Sequence, residues 1–339
     1  MKEKNNGITL ISLIFIIIAI LLIISILISS KFLKNISIKM DIAYKTITKQ
    51  IDIKKEIEEN EKLMGITDVS GEGITISILD GKDLIHQEDL IILIDELKNS
   101  GSQAISINEQ RITNFTYLYC DGTVILIDGV KIGNPFSIKA IGDKETIYGA
   151  LTRNKGYLET LKRDGIEINV EKSDDIKILK TNKNDLLNYA PNKSNMNKLY
   201  LSNQLTGKSS AIGKGIEIII EENAAKLTAL SFLQIVNDLN SAGVEAISIN
   251  GQRITSMTDM MDISNTYVLI NSIPIKGPFI IDVIGNQDKI EEVLDYNNSY
   301  ITKIKNKGNN VYMQRMNCIE IEKYTQKKDQ DKMLVNYLK

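Results

Sequence analysis

Apolar residues recur along this chain with three different periods, and each period predicts a different element. The stretch from Ile8 to Ile28 is Ile, Leu, Phe and Ala broken only by Thr9, Ser12 and Ser25, and no charge falls between Lys4 and Lys31. About 20 apolar residues at 1.5 Å rise span the ~30 Å hydrocarbon core of a bilayer, so the pattern predicts a transmembrane signal-anchor over 8–30 behind a short tail, 1–7. A removed signal peptide would have a shorter apolar core and a small-x-small cleavage site, which Ser29-Ser30-Lys31-Phe32 does not offer. From there to Met64 the period is helical. Ile36, Met40, Ala43, Ile47 and Ile51 fall on one stripe, with Lys, Asp, Glu, Gln and Asn opposite. This predicts a helical stalk over 31–64, where two readings stay open: a coiled coil pairing two chains, or a single amphipathic helix.

Beyond the stalk the chain repeats itself. Gly101-Ser-Gln-Ala-Ile-Ser-Ile-Asn-Glu-Gln-Arg-Ile-Thr113 returns as Gly243-Val-Glu-Ala-Ile-Ser-Ile-Asn-Gly-Gln-Arg-Ile-Thr255, and Gly71-x-Gly73 returns as Gly213-x-Gly215. Downstream, Pro135-Phe136 answers Pro278-Phe279 and Gly142 answers Gly285. A period this long denotes duplicated domains, here 65–180 and 207–322, joined by a polar linker over 181–206 and followed by a polar tail, 323–339.

Read together, the copies predict the same elements. Ile74, Ile76 and Ile78 alternate with polar residues, as do Ile216, Ile218 and Ile220, which marks a strand with one buried face. Leu90, Leu93, Ile94 and Leu97, matched by Phe232, Ile235, Val236 and Leu239, mark a helix that Gly101 or Gly243 ends. Asn108-Glu109 and Asn250-Gly251 predict one hairpin turn, and Asp128-Gly129 and Asn271-Ser272 a second. Asp143 is placed to cap a further helix, Ile166–Val170 reads as a closing strand, and a short helix is expected around Asn195–Leu205. Each copy therefore reads as β-α-β-β-β-β-α-β. The fold class is α+β: two tandem homologous domains, each a largely antiparallel sheet with helices on one face, after a transmembrane helix and stalk.

The Ala-Ile-Ser-Ile-Asn-x-Gln-Arg-Ile-Thr and Pro-Phe-x-Ile-x-x-Ile-Gly stretches resemble the bacterial YlxW/YlxX-like family, labelled "division initiation protein". The resemblance covers both repeats and extends to the order anchor, stalk, α+β domain. It implies an envelope location and a division-related role, and it implies no catalytic residue. The tandem arrangement departs from the single copy usual in the family, and Glu109 stands where the motif has Gly.

Composition narrows the chemistry. The 339 residues are 43% hydrophobic and 25% charged, with 41 Lys and Arg against 43 Asp and Glu. That is the balance of a packed protein without the basic excess of a nucleic-acid binder. Two cysteines and one histidine leave no Cys-rich or multi-His metal site, and no cofactor is expected. Gly71-x-Gly73 precedes a strand rather than following one, which argues against a nucleotide loop. His86 and the two cysteines are not repeated. Ser106, Ser248, Thr113 and Thr255 are repeated without a companion base.

The best candidate site residues are Asn108, Gln110 and Arg111, repeated as Asn250, Gln252 and Arg253. Their arginine fork suits a carboxylate or phosphate, so an anion or glycan pocket is one reading. The other is structural: the amides satisfy turn backbone while each arginine is held by a carboxylate or backbone carbonyl of its own repeat. The functional expectation is a non-catalytic scaffold anchored in the bacterial cytoplasmic membrane through 8–30, its repeats outside the cytoplasm. Its expected partners are envelope proteins and, on the coiled-coil reading of the stalk, a second copy. Lys2 and Lys4 against Lys31, Lys34 and Lys39 slightly favour the opposite orientation, but large C-terminal domains often translocate regardless of such charge.

Overall fold

The computed structural model describes residues 4–80, 85–122, 124–183, 193–264 and 266–324. The tail after Tyr324, Pro191 within the linker, and residues 1–3 lie outside the described residues. The chain divides into two units, Met1–Glu56 and Ile57–Lys339.

Helix α1, Lys4–Leu63, supplies all the described residues of the first unit. Its apolar run is exposed from Leu13 to Ile28, and among the described residues this is the one helix long and apolar enough to cross a membrane. The stripe formed by Ile36, Met40, Ile47 and Ile51 is exposed as well.

The second unit holds both repeats. In the first, β1 (Val69–Leu79), β2 (Ala104–Ile107), β3 (Gln110–Ile112), β7 (Phe136–Ile141) and β8 (Glu167–Ile178) form an antiparallel sheet ordered β3-β2-β7-β1-β8. Between β3 and β7, strands β4 (Leu118–Cys120), β5 (Ile125–Ile127) and β6 (Val130–Ile132) make a small antiparallel sheet. Helices α2 (Gln87–Asn99), α3 (Lys144–Leu151) and α4 (Tyr157–Arg163) complete the repeat. Ile74, Ile76, Ile78 and Ile138 point to one side of the sheet, where Leu90, Leu93, Leu97, Ile147, Leu158 and the small sheet's Ile127 close the core. Thr75 and Ser77, on the other side, are half-buried and exposed, as a period-two strand requires.

Helix α5 (Asn195–Leu205) precedes the second repeat. There β9 (Ala211–Glu221), β10 (Ala246–Ile249), β11 (Gln252–Arg253), β15 (Phe279–Ile284) and β16 (Asn310–Ile321) repeat the large sheet in the order β11-β10-β15-β9-β16. Strands β12 (Met260–Asp262), β13 (Val268–Ile270) and β14 (Ile273–Ile275) repeat the small one. Helices α6 (Ala229–Ser241), α7 (Gln287–Asp295) and α8 (Tyr300–Asn306) take the places of α2, α3 and α4. The α+β class and the duplication stand.

The finer order differs from expectation. Each repeat is β-α-β-β-β-β-β-β-α-α-β rather than β-α-β-β-β-β-α-β. Strands β4 and β12 are three residues long and pair only within the small sheets, too short for a period to register. Phe136–Ile141, read only as an apolar approach to a helix, is the central strand β7. The helix that Asp143 opens ends at Thr152, and Gly156 caps a second one. Asp143 does cap α3, its carboxylate accepting from Thr146 N at 2.7 Å.

Candidate functional site

The repeated polar motif begins at the hairpin between β2 and β3. Asn108 and Glu109 take φ of 46° and 63°, and Asn250 and Gly251 take 47° and 76°, the two left-handed residues of a type I′ turn. The amide of Asn108 donates to the carbonyls of Gly133 and Pro135 (2.8 and 3.3 Å) and accepts from Ser137 N at 2.7 Å. Asn250 does the same with Lys276, Pro278 and Ile280. The conjunction of the Ile-Asn and Pro-Phe motifs is therefore a physical contact: each Asn stitches its hairpin to the loop before the central strand. Gln110 and Gln252 sit half-buried on β3 and β11.

Each arginine reaches the end of the helix that precedes its repeat. Arg111 Nη2 donates to Lys62 O at 3.1 Å, and Arg253 Nη2 donates to Gln204 O at 2.8 Å. These carbonyls belong to the last turns of α1 and α5, where acceptors lack intrahelical donors and a cation faces the negative end of the helix dipole. Gly65 and Gly207, at φ of 74° and 79°, terminate the two helices. Their carbonyls accept from Thr181 N and Tyr324 N, both at 2.7 Å. A Cβ on either glycine would press the threonine beside the arginine, 2.9 Å from Thr113 Cγ2 or 2.7 Å from Thr255 Cγ2. Arginine, helix end and chain exit thus form one knot in each repeat.

Arg111 and Arg253 are 4% and 2% exposed, and burial pushes both guanidiniums down to about 10, so they stay charged at neutral pH. Arg253→Ala is expected to cost about 2 kcal/mol: it removes the side-chain donor to the Gln204 carbonyl, which keeps the Gly207 N–H at 3.2 Å, and opens a cavity, partly offset by releasing a desolvated charge. Urea unfolding of the full chain in detergent checks this, and an unchanged midpoint would show that the arginine holds nothing.

A second constellation lies where the repeats meet. Asn237 on α6 pairs with both backbone groups of Leu118 on β4, accepting from its N–H at 2.7 Å and donating to its carbonyl at 2.9 Å. Asp95, the residue in the same place on α2, accepts from Met260 N on β12 at 3.0 Å. Asn240 donates to the carbonyls of Asn114 and Thr116, and its equivalent in the first repeat is Lys98. Asn60 donates to Ser202 Oγ at 2.8 Å, linking the equivalent positions of α1 and α5. Ile91, Ile94 and Ile112 face Leu233, Val236 and Ile254 around a cavity of about 70 Å³. These reciprocal contacts give the two repeats the arrangement of a twofold dimer within one chain.

The two halves differ in charge. Burial pushes Asp95 up to about 7, against the opposing pull of the Met260 amide and Lys98. Burial pushes Lys98 down, opposed by Asp95 and Asp259. With a folded value above the unfolded one, Asp95 costs stability as pH rises from about 4 to about 7. Lys98, with a folded value below the unfolded one, returns stability as pH rises toward about 10.5. The double variant Asp95→Asn/Lys98→Asn copies the neutral second repeat. The stability gap between it and the parent is expected to peak near neutral pH, at about 1–2 kcal/mol in the variant's favour. A gap that is constant from pH 5 to 9 would contradict the shifted ionisations.

Beside this contact a cleft of about 590 Å³ opens, walled by Tyr117, Tyr119 and Cys120 from the first repeat and by Asp238, Tyr296 and Lys303 from the second. Tyr119 and Tyr296 are 46% and 55% exposed. His86 is exposed at the N-cap of α2, where its backbone N–H donates to Asp89 at 2.6 Å, and it borders the cleft. Both cysteines are free, Cys120 half-buried and Cys318 exposed. Among the described residues no His, Cys, Asp and Glu cluster suits a metal.

No local motif marks the inter-repeat residues, because their partners lie far away in sequence. One signal was available: Asp95 and Asn237 are polar residues at the same place beside the apolar stripe of each copy's first helix.

The family described as "Bacterial protein of unknown function (DUF881)" matches residues 56–191 and again 199–333. The chain belongs to this family. Both DUF881 matches begin before the large sheet, so they take in the helix end that the motif arginine caps. Among similar proteins, the UPF0749 protein YlxW of Bacillus subtilis is 29% identical over 143 residues, 38% of this chain and 62% of that one. The UPF0749 protein YlxX of the same organism is 25% identical over 140 residues, 38% of this chain and 60% of that one. The chain thus spans about three fifths of the length of these relatives. A crystal structure of an uncharacterized conserved protein from Mycobacterium tuberculosis is 28% identical, with a TM-score of 0.34, covering 36% of this chain and 87% of that one.

Proposed function

We propose that the chain is a single-pass, non-catalytic interaction protein of the bacterial cell envelope. Its helix α1 anchors it in the cytoplasmic membrane, and its paired DUF881 repeats stand outside the cytoplasm to engage proteins of the envelope or division machinery. The observation that carries this reading is the exposed, charge-free apolar run of α1 joined in one chain to a unit built of two interlocked repeats. The exposed stripe of Ile36, Met40, Ile47 and Ile51 supports pairing of two chains through the stalk, since heptad-like apolar positions are stabilised by a partner helix. The anion or glycan reading of the arginine motif has less support, because both guanidiniums are buried and donate to helix-end carbonyls.

The chain carries its own topology reporter. Cys318 lies exposed on β16 of the second repeat. In intact cells a membrane-impermeant maleimide is expected to label Cys318, and a Cys318→Ser chain is expected to lose most of the signal. Labelling only after membrane permeabilisation would place the repeats in the cytoplasm and overturn the orientation.

A further inference from the structure

Duplication supplies an internal comparison for the cleft between the repeats. In the first repeat, Glu96 on α2 is held by the guanidinium of Arg153, with Nη2 to Oε1 at 2.7 Å. Asp238 occupies the equivalent place on α6 and accepts from Tyr300 N at 2.7 Å, the N-terminal residue of α8. The residue equivalent to Arg153 is Tyr296, so Asp238 has lost the arginine that its twin keeps. A second closure is lost in the same place. Asp262 Oδ1 accepts from Ala229 N at 2.9 Å, whereas the equivalent of Asp262 in the first repeat is Cys120. One side of the pseudo-twofold is thus shut by an ion pair and a helix-end contact, and the other is open.

From this divergence we infer that the open cleft is a binding site for a basic side chain, an arginine presented by a partner protein, with Asp238 taking the role of Glu96. The walls fit that ligand. The exposed Tyr119 and Tyr296 offer aromatic rings, which attract a guanidinium through their faces, while the Tyr117 ring already carries Lys183 at 5.5 Å. Asp238, Glu88 and Glu292 outnumber Lys303, so the lining favours a cation over a phosphate or carboxylate. Asp238 is half-buried, and burial pushes its carboxyl up to about 6 against the pull of Lys303 and its hydrogen bonds. A guanidinium entering the cleft compensates that desolvation, as Arg153 does for Glu96. The volume of about 590 Å³ exceeds one side chain and leaves room for flanking backbone.

The inference names a partner class for the interaction reading above, on which its biological setting rests, but its test does not depend on membrane sidedness. The full chain in detergent is titrated with the blocked peptide acetyl-Gly-Arg-Gly-amide, and with acetyl-Gly-Gln-Gly-amide as the uncharged control. Saturation transfer to the arginine methylenes reports binding, and the alkylation rate of Cys120 relative to Cys318 reports where it occurs. The arginine peptide is expected to show transfer and to slow Cys120 alone, and the glutamine peptide to do neither. Asp238→Asn is expected to weaken binding at least tenfold. Tyr296→Arg, which restores the residue of the first repeat, is expected to abolish it while leaving the melting temperature within a few degrees. Equal effects from both peptides, unchanged binding in Tyr296→Arg, or protection of Cys120 by a cell-wall oligosaccharide instead would overturn the inference. Shielding of Cys318 in intact cells would overturn the envelope orientation and leave the cleft untouched.

Discussion

Replacing Asn237 by leucine is expected to lower the unfolding free energy of the full chain by about 3–5 kcal/mol. Leucine keeps the branching and heavy-atom count of asparagine and leaves no cavity, so the loss reports chiefly the hydrogen bonds, with some added crowding from its larger volume. Asn237 is 8% exposed and pairs with both the N–H and the carbonyl of Leu118. An orphaned buried backbone group costs about 1–3 kcal/mol, and here two are orphaned together. The effect should also change the character of unfolding. With this part of the interlock gone and the Asp95 and Asn240 contacts left to hold the repeats together, circular dichroism in urea is expected to show the repeats melting in two steps instead of one, with a reduced m-value for each. A single transition at the parent midpoint would show that the repeats stay coupled without this contact. Asn237→Asp should fall between the two, because aspartate still accepts from Leu118 N but faces its carbonyl with a second acceptor.

Much of this fold was legible because its signals are local. The alternating isoleucines of β1 and β9 appear directly as buried and exposed positions, and the left-handed turn residues fall on the Asn-x and Asp-Gly pairs that favour them. Reading two copies at once sharpened every such element. The three-residue strands β4 and β12 stayed hidden because three residues carry no measurable period. The arginine's partner was hidden for another reason. A backbone carbonyl has no residue identity, and the only trace is that Leu63-x-Gly65 and Leu205-x-Gly207 recur at the same offset as the arginines. The inter-repeat contacts and the cleft were least accessible. Their partners are more than a hundred residues apart, and the cleft depends on where the copies differ, as at Arg153 and Tyr296, while a repeat shows itself only where they agree.

The Gly-x-Gly pairs, whose placement argues against a phosphate loop, are explained by backbone geometry within β1 and β9. A Cβ on Gly73 would lie 1.9 Å from Ala140 O, and on Gly215 1.7 Å from Val283 O. These are backbone atoms of the neighbouring central strand, so no rotamer change relieves the overlap. The close approach occurs beside a bulge, where the partner strand carries an extra residue between Gly213 and Gly215, as β8 does opposite Gly71 and Gly73. Gly215→Ala is therefore expected to cost more than about 4 kcal/mol, because β9 must separate from β15 at the centre of the second repeat's sheet. The first glycine of each pair meets a side chain instead: a Cβ on Gly213 lies 2.6 Å from Ile284 Cγ2, and on Gly71 3.1 Å from Ile141 Cγ2. Gly213→Ala should cost about 1–2 kcal/mol and Gly71→Ala less than about 1, since isoleucine can shift. Urea unfolding of the three variants tests the order. A Gly215→Ala chain as stable as Gly71→Ala would mean that the strands do not approach this closely.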